Sequence, residues 1–146
     1  MLGDLAVKQA ALLPEPVGLE LEAAAGGKSL SHTLARLASD ERGYVRQAVA
    51  GNPATPPETL AGLAWDCIDG VRQELAKNRY CPFVAQEILS RDSNEYIRLL
   101  VAEQAHTLPC ILERLAGDHD VWVRRAAERQ LRSGSSHQFI GQLSDL

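Results

Sequence analysis

The residues best suited to chemistry recur at a fixed interval. Asp40, Asp66, Asp92 and Asp118 lie 26 residues apart, and so do Arg46, Arg72, Arg98 and Arg124. A carboxylate and a guanidinium six positions apart could look catalytic. Four equal copies suit a ladder better: an Asp at each helix N-terminus caps orphan N–H groups, and an Arg beside it bridges within or between copies. A catalytic site needs one distinctive copy. Cys67, Cys81 and Cys110 fall in different columns of the period and form no CxxC pair. They read as buried or half-buried thiols in a reducing compartment, the cytoplasm, and not as a disulfide framework or a three-thiolate metal site. His32, His106, His119 and His137 make no HxxxH or HExxH pair, and Gly26-Gly27-Lys28-Ser29 ends like a phosphate loop without the earlier Gly or a preceding strand. The expectation is no catalytic residues, no metal and no cofactor: not an enzyme.

The elements that carry these columns are short helices. Leu37, Leu63, Leu89 and Leu115 keep the same register, as do Val45, Val71, Ile97 and Val123, so four copies run without a gap. Within one copy, Pro56-Pro57-Glu58 suits a first turn, and Leu60, Leu63 and Ala64 share one helical face. After a break at 66–70, Val71, Leu75 and Asn78 form the stripe of a second helix ending near Lys77. Asn52 and Asn78 then fall where a left-handed C-terminal residue is tolerated. Helices this short are marginal alone and must stack on neighbours. The predicted fold class is all-α: a right-handed α-solenoid (α-α superhelix) of four 26-residue helical-hairpin repeats over 29–132. The ends depart from the period. Residues 1–28 read as a cap helix with Asp4 as N-cap, followed by a linker, and Ser29 or Ser31 as cap of the first repeat helix. Ser133-Gly134-Ser135-Ser136 ends the last helix, and 133–146 reads as a mobile tail whose Phe139, Ile140 and Leu143 could dock back.

A chain of 146 residues is one domain's worth of sequence and long enough to bury a core without staples. Aromatics are 5% of residues, with Ala and Leu supplying most apolar positions, which favours close helices over an aromatic-cored sandwich. A net charge of −4 argues against a general nucleic-acid coat, and neither a signal peptide nor a membrane span is legible.

The pattern of Asp, four residues, then Val-Arg resembles HEAT-type repeats. The compact form resembles the leucine-rich repeat variant family still more closely: Val45-Arg46, Val49-Ala50, Asn52-Pro53, Thr55-Pro56, Leu60 and Leu63-Ala64 carry it best, and it extends over roughly 29–132. The resemblance implies short repeats that alternate an α-helix with a 3₁₀-helix, so the first helix of each repeat is α or 3₁₀. Some members of the family carry an N-terminal iron–sulfur cluster; residues 1–66 contain no Cys, so that site does not carry over. For function the resemblance is unspecific, because repeat folds serve many functions.

Two surfaces stand out. With Val45, Val49 and Asn52 inward, Gly43, Arg46, Gln47 and Ala50 point outward on the second helix. In HEAT-like stacks the second helices line the concave surface. Gln47, Gln73, Leu99 and Arg125 share one column there, and Tyr44, Tyr96 and Trp122 lie nearby. These seven residues are the expected protein-contact set, unless the aromatics fill gaps between repeats. The second surface is basic: 121–132 carries Arg124, Arg125, Arg129 and Arg132 against Glu128 alone. It could contact phosphates, as HEAT-like alkylpurine DNA glycosylases hold DNA; a solvated terminal helix, or a dock for an acidic partner, suits the acidic whole chain better. The expected function is a non-enzymatic scaffold or adaptor that binds a protein partner on the concave face. The alternatives are a nucleic-acid-binding module using the last helix, and an enzyme subunit acting on a cofactor-bearing partner. No membrane partner is expected, and the sequence leaves oligomeric state open.

Overall fold

Eight α-helices and no strand occur among the described residues, which are all-helical as expected. The computed structural model describes the backbone of residues 30–143 and the side chains of residues 30–134. The predicted cap helix and linker of 1–28, the Ser29 cap and the docking of Phe139, Ile140 and Leu143 lie outside the described residues or side chains.

In chain order the helices are α1 (Leu30–Leu37), α2 (Gly43–Gly51), α3 (Pro57–Leu63), α4 (Asp69–Lys77), α5 (Phe83–Leu89), α6 (Glu95–Glu103), α7 (Pro109–Leu115) and α8 (Val121–Leu143). Ser31 lies inside α1 and does not cap it. The first helix of each pair is α and not 3₁₀: Leu60 N–H donates to Pro56 O and Gln86 N–H to Pro82 O, four residues back. Three-residue spacing is confined to end turns, as at Ala64 to Ala61 and at Ile111 to Leu108. Proline at the first position of α3 and α7 supplies a preset φ and loses no helical donor.

One apolar core runs through all the pairs. Leu34, Leu37, Val45, Val49, Leu60, Val71, Leu75, Leu89, Ile97, Ile111, Leu115 and Val123 are fully or almost fully buried in it. Each such side chain contributes about 1.5–3 kcal/mol of burial. The second helices form the tighter row, with α2 against α4, α4 against α6 and α6 against α8. Ala50, Ala76 and Ala102 let them approach: all three are buried. This corrects the outward placing of Ala50. Between the first helices, Arg114 of α7 grips Glu87 of α5 through both guanidinium nitrogens at 2.7 Å and also reaches Ser90 Oγ at 3.0 Å.

The last helix departs from the sequence expectation. It continues through Ser133–Ser136 to Leu143. One interior Gly costs only about 1 kcal/mol, and a helix already nucleated by a packed N-terminal half propagates through serines.

Candidate functional site

The Asp and Arg columns build a continuous ladder. Oδ1 of Asp40, Asp66, Asp92 and Asp118 accepts the N–H two residues on, at 2.9 Å in every copy. Each Asp thus turns the chain into the second helix, but from two positions before the N-cap, which is Arg42, Ile68 or Asn94 in the first three copies. The expectation that the Asp itself caps the helix is corrected; in the later copies Asn94 and Asp120 do so, accepting from Tyr96 N–H and from Trp122 and Val123 N–H. The Arg column makes two kinds of bond. Nη1 donates to the carbonyl of its own copy's Asp, at 2.6–2.7 Å in all four copies. In Arg46, Arg72 and Arg98, Nε and Nη2 also fork onto the carboxylate of the next copy's Asp. Nε to Oδ2 is 2.6, 2.7 and 2.8 Å for Arg46–Asp66, Arg72–Asp92 and Arg98–Asp118. Burial pushes the Asp66 and Asp118 carboxyls up, but the hydrogen bonds from Arg46 and Arg98 and from the backbone outweigh it, leaving both below the usual carboxylate range. The same bonds raise the Arg46, Arg72 and Arg98 guanidiniums. Arg46 is therefore an interior strut and not an outward-facing residue.

A second ladder runs through side-chain amides. Asn78 Nδ2 donates to Ala50 O, Gln104 Nε2 to Ala76 O, and Gln130 Nε2 to Glu103 O, at 2.8–3.0 Å. Asn52 and Asn78 are extended, with φ of −80° and −68°, not left-handed. Their value lies in the side chain: Oδ1 accepts the N–H two residues on while, in Asn78, Nδ2 reaches the previous copy.

The outer face of the second helices carries the predicted contact residues. Tyr44, Tyr96 and Trp122 are 51%, 46% and 63% exposed, so they do not plug gaps between helices. Gly70 occupies their column in the second copy; a Cβ there would press on Gln47 Oε1 at 3.0 Å. Gln47 and Gln73 are half-buried, and Leu99 is half-buried against the core. Leu99, Trp122 and Arg125 meet on one open groove of about 570 Å³ between α6 and α8, together with Glu103, Glu128, Arg129 and Arg132. The Arg125 guanidinium lies 5.7 Å from the Trp122 ring centroid, a cation–π contact. Tyr44, Gln47, Gln73 and Tyr96 lie outside that groove. Of the four proposed phosphate contacts, Arg125, Arg129 and Arg132 share the groove, while Arg124 belongs to the ladder.

Other exposed apolar residues escaped the sequence reading. Trp65 is 76% exposed at the end of α3, and Tyr80, Phe83 and Val84 are exposed around the start of α5. The signal was available: Trp65 shares its column with Ser39, Arg91 and Gly117, and Val84 with Glu58, types that mark an outward position. Cys67 and Cys110 are exposed, whereas burial pushes the Cys81 thiol up to about 12. Among the described residues, no three His, Cys, Asp or Glu side chains gather as a metal-binding group, and no helix is long and apolar enough to cross a membrane.

Comparison of the chain with protein-family models, with curated proteins and with solved structures finds no match.

Proposed function

We propose that the chain is a four-repeat right-handed α-solenoid of the HEAT-like, leucine-rich-repeat-variant kind, and that it serves as a non-enzymatic protein-binding scaffold or adaptor. The constant ladder bonds between successive copies and the close row of second helices support the repeat arrangement. A tight second-helix row beside a looser first-helix row favours curvature with the second helices inside. The observation that carries the function is the meeting of Leu99, Trp122 and Arg125 on one groove. An aromatic anchor, an aliphatic floor and guanidiniums in one recess are the composition of an interface centre. Because the stack is ordered before binding, a partner peptide or helix meets a formed surface and less ordering entropy opposes association. Three free thiols, two of them exposed, suit a reducing compartment such as the cytoplasm.

The test is a pull-down from native lysate with the tagged chain, with and without nuclease, beside a Leu99→Glu, Trp122→Ala variant. A specific protein retained in both nuclease conditions and lost by the variant, at unchanged helical circular dichroism, supports the reading. Retention by the folded variant would sink this placement. The second reading, a nucleic-acid module, draws on Arg125, Arg129 and Arg132 lining the same groove. It requires retention that vanishes with nuclease and binding that weakens steeply with salt.

A further inference from the structure

The ladder has one open end. Arg46, Arg72 and Arg98 each spend Nε and Nη2 on the carboxylate 20 residues ahead. Arg124 holds the same inner bonds, Nη1 to Asp118 O at 2.7 Å and to His119 O at 3.0 Å. Those bonds fix its guanidinium as they fix Arg46, whose Nη1 holds Asp40 O at 2.7 Å and Glu41 O at 3.1 Å. Among the described residues, nothing occupies the Nε–Nη2 edge of Arg124. The residue 20 positions on from Arg124 is Ser144 and not an Asp, and α8 continues to Leu143. At 1.5 Å per residue it carries the chain roughly 28 Å along the axis from Arg124. Glu128, one turn on, is engaged by Arg132 at 3.8 Å.

We infer that this open Arg124 fork is a carboxylate-binding site, and that its occupant is an aspartate at a helix-entry turn of a partner protein. The three filled rungs define the ligand. Each takes a carboxylate in a two-pronged fork while Oδ1 of the same carboxylate accepts the N–H two residues on. A second copy of this chain is a poor occupant, since its first rung Asp40 is already held by Arg42 at 2.8 Å through both Nε and Nη2. Charge favours an acidic partner: residues 121–132 of the same helix carry Arg125, Arg129 and Arg132 besides Arg124, with Glu128 as the single acid. Glu128 also replaces the Ala that packs the next second helix in earlier copies, so the partner brings an acidic turn and not a full fifth repeat. The site is separate from the Leu99–Trp122 contact, and loss of binding there leaves this assignment standing.

The test is a titration of the ¹⁵N-labelled full chain, read at the arginine Nε–Hε signals. The probe is the acetylated, amidated peptide of residues 92–97, which carries a rung aspartate and its following turn. Arg124→Lys, which keeps the charge and loses the fork, assigns the signal. The expected result is a saturable shift of the Arg124 signal with the Arg46, Arg72 and Arg98 signals unmoved. Binding should weaken at least tenfold when the peptide's first Asp is replaced by Asn. The inference is overturned by an unmoved Arg124 signal, by equal response to the Asn peptide, by equal response to inorganic phosphate, or by an Arg124 signal that already matches the three filled rungs without peptide. The titration uses the unaltered chain, so its outcome does not depend on how well the variant folds.

Discussion

Arg98→Ala should be the most damaging single change in the Arg column. Arg98 and Asp118 form the most buried rung, with side chains 5% and 8% exposed. The guanidinium also donates to Asp92 O at 2.7 Å and lies 3.2 Å from His119 Nε2. Removing it leaves the Asp118 carboxylate with the Asp120 N–H, and strips Asp92 O of its strongest donor. Breaking one side of a buried pair costs about 3–5 kcal/mol. The lower half of that range applies here, because the vacated edge opens to water. The control is Arg124→Ala, which loses only the two Nη1 bonds to backbone carbonyls, about 1–2 kcal/mol in total. In urea unfolding followed by circular dichroism, with a slope of about 2 kcal/mol per molar, the Arg98→Ala midpoint falls by roughly 1.5–2 M and the Arg124→Ala midpoint by less than about 1 M. Replacing both partners, Arg98→Met with Asp118→Leu, should restore most of the loss, since no buried charge is then left alone. Equal losses for Arg98→Ala and Arg124→Ala would refute the reasoning, for they would show that the inter-copy fork adds nothing.

Acid should loosen the ladder. Asp66 and Asp118 are held below their ordinary value of 3.8, so their stabilisation is complete above that pH and is lost as pH falls through the lower folded values. The thermal midpoint should be flat from pH 7 to about 5 and drop below about 4; a midpoint unchanged at pH 2 would contradict it. Gly62→Ala should stabilise, because Gly62 is exposed within α3 and an added Cβ meets nothing within 4 Å. The expected gain is about 0.5–1 kcal/mol, a rise of about 2–4 °C in calorimetry, and a fall would show an unseen contact. Cys67 and Cys110 should react rapidly with Ellman's reagent while Cys81, buried with its thiol raised to about 12, reacts only on unfolding. Three fast thiols would show that the 78–82 turn opens readily.

The period of 26, the paired helices and most of the core were legible because apolar spacing reports directly on which helix face is covered. Leu60, Leu63, Val71 and Leu75 are buried as their spacing requires. The Asp and Arg columns were legible as a ladder, but not their wiring. Whether Arg46 meets Asp40 or Asp66 depends on where the chain turns between helices, and it meets a carbonyl of one and the carboxylate of the other. Exposure of Tyr96 and Trp122 was beyond the sequence for a similar reason: it follows from the distance between α6 and α8, which Ala102 helps set across the interface. The C-terminal end of α8 was misplaced because Ser and Gly signal a stop only when nothing upstream holds the helix.

The ladder bonds also decide how the molecule would respond to a pull on its two ends. The Arg forks join positions 20 apart and the amide bonds positions 27 or 28 apart, so each tie reaches only from one copy to the next. Tension therefore passes through these ties in series, and the weakest yields first. Its release frees about one 26-residue period of chain, roughly 90 Å when fully extended, while its neighbours stay intact. Ties this local predict a chain that lengthens in steps under tension and re-forms each tie by a short search.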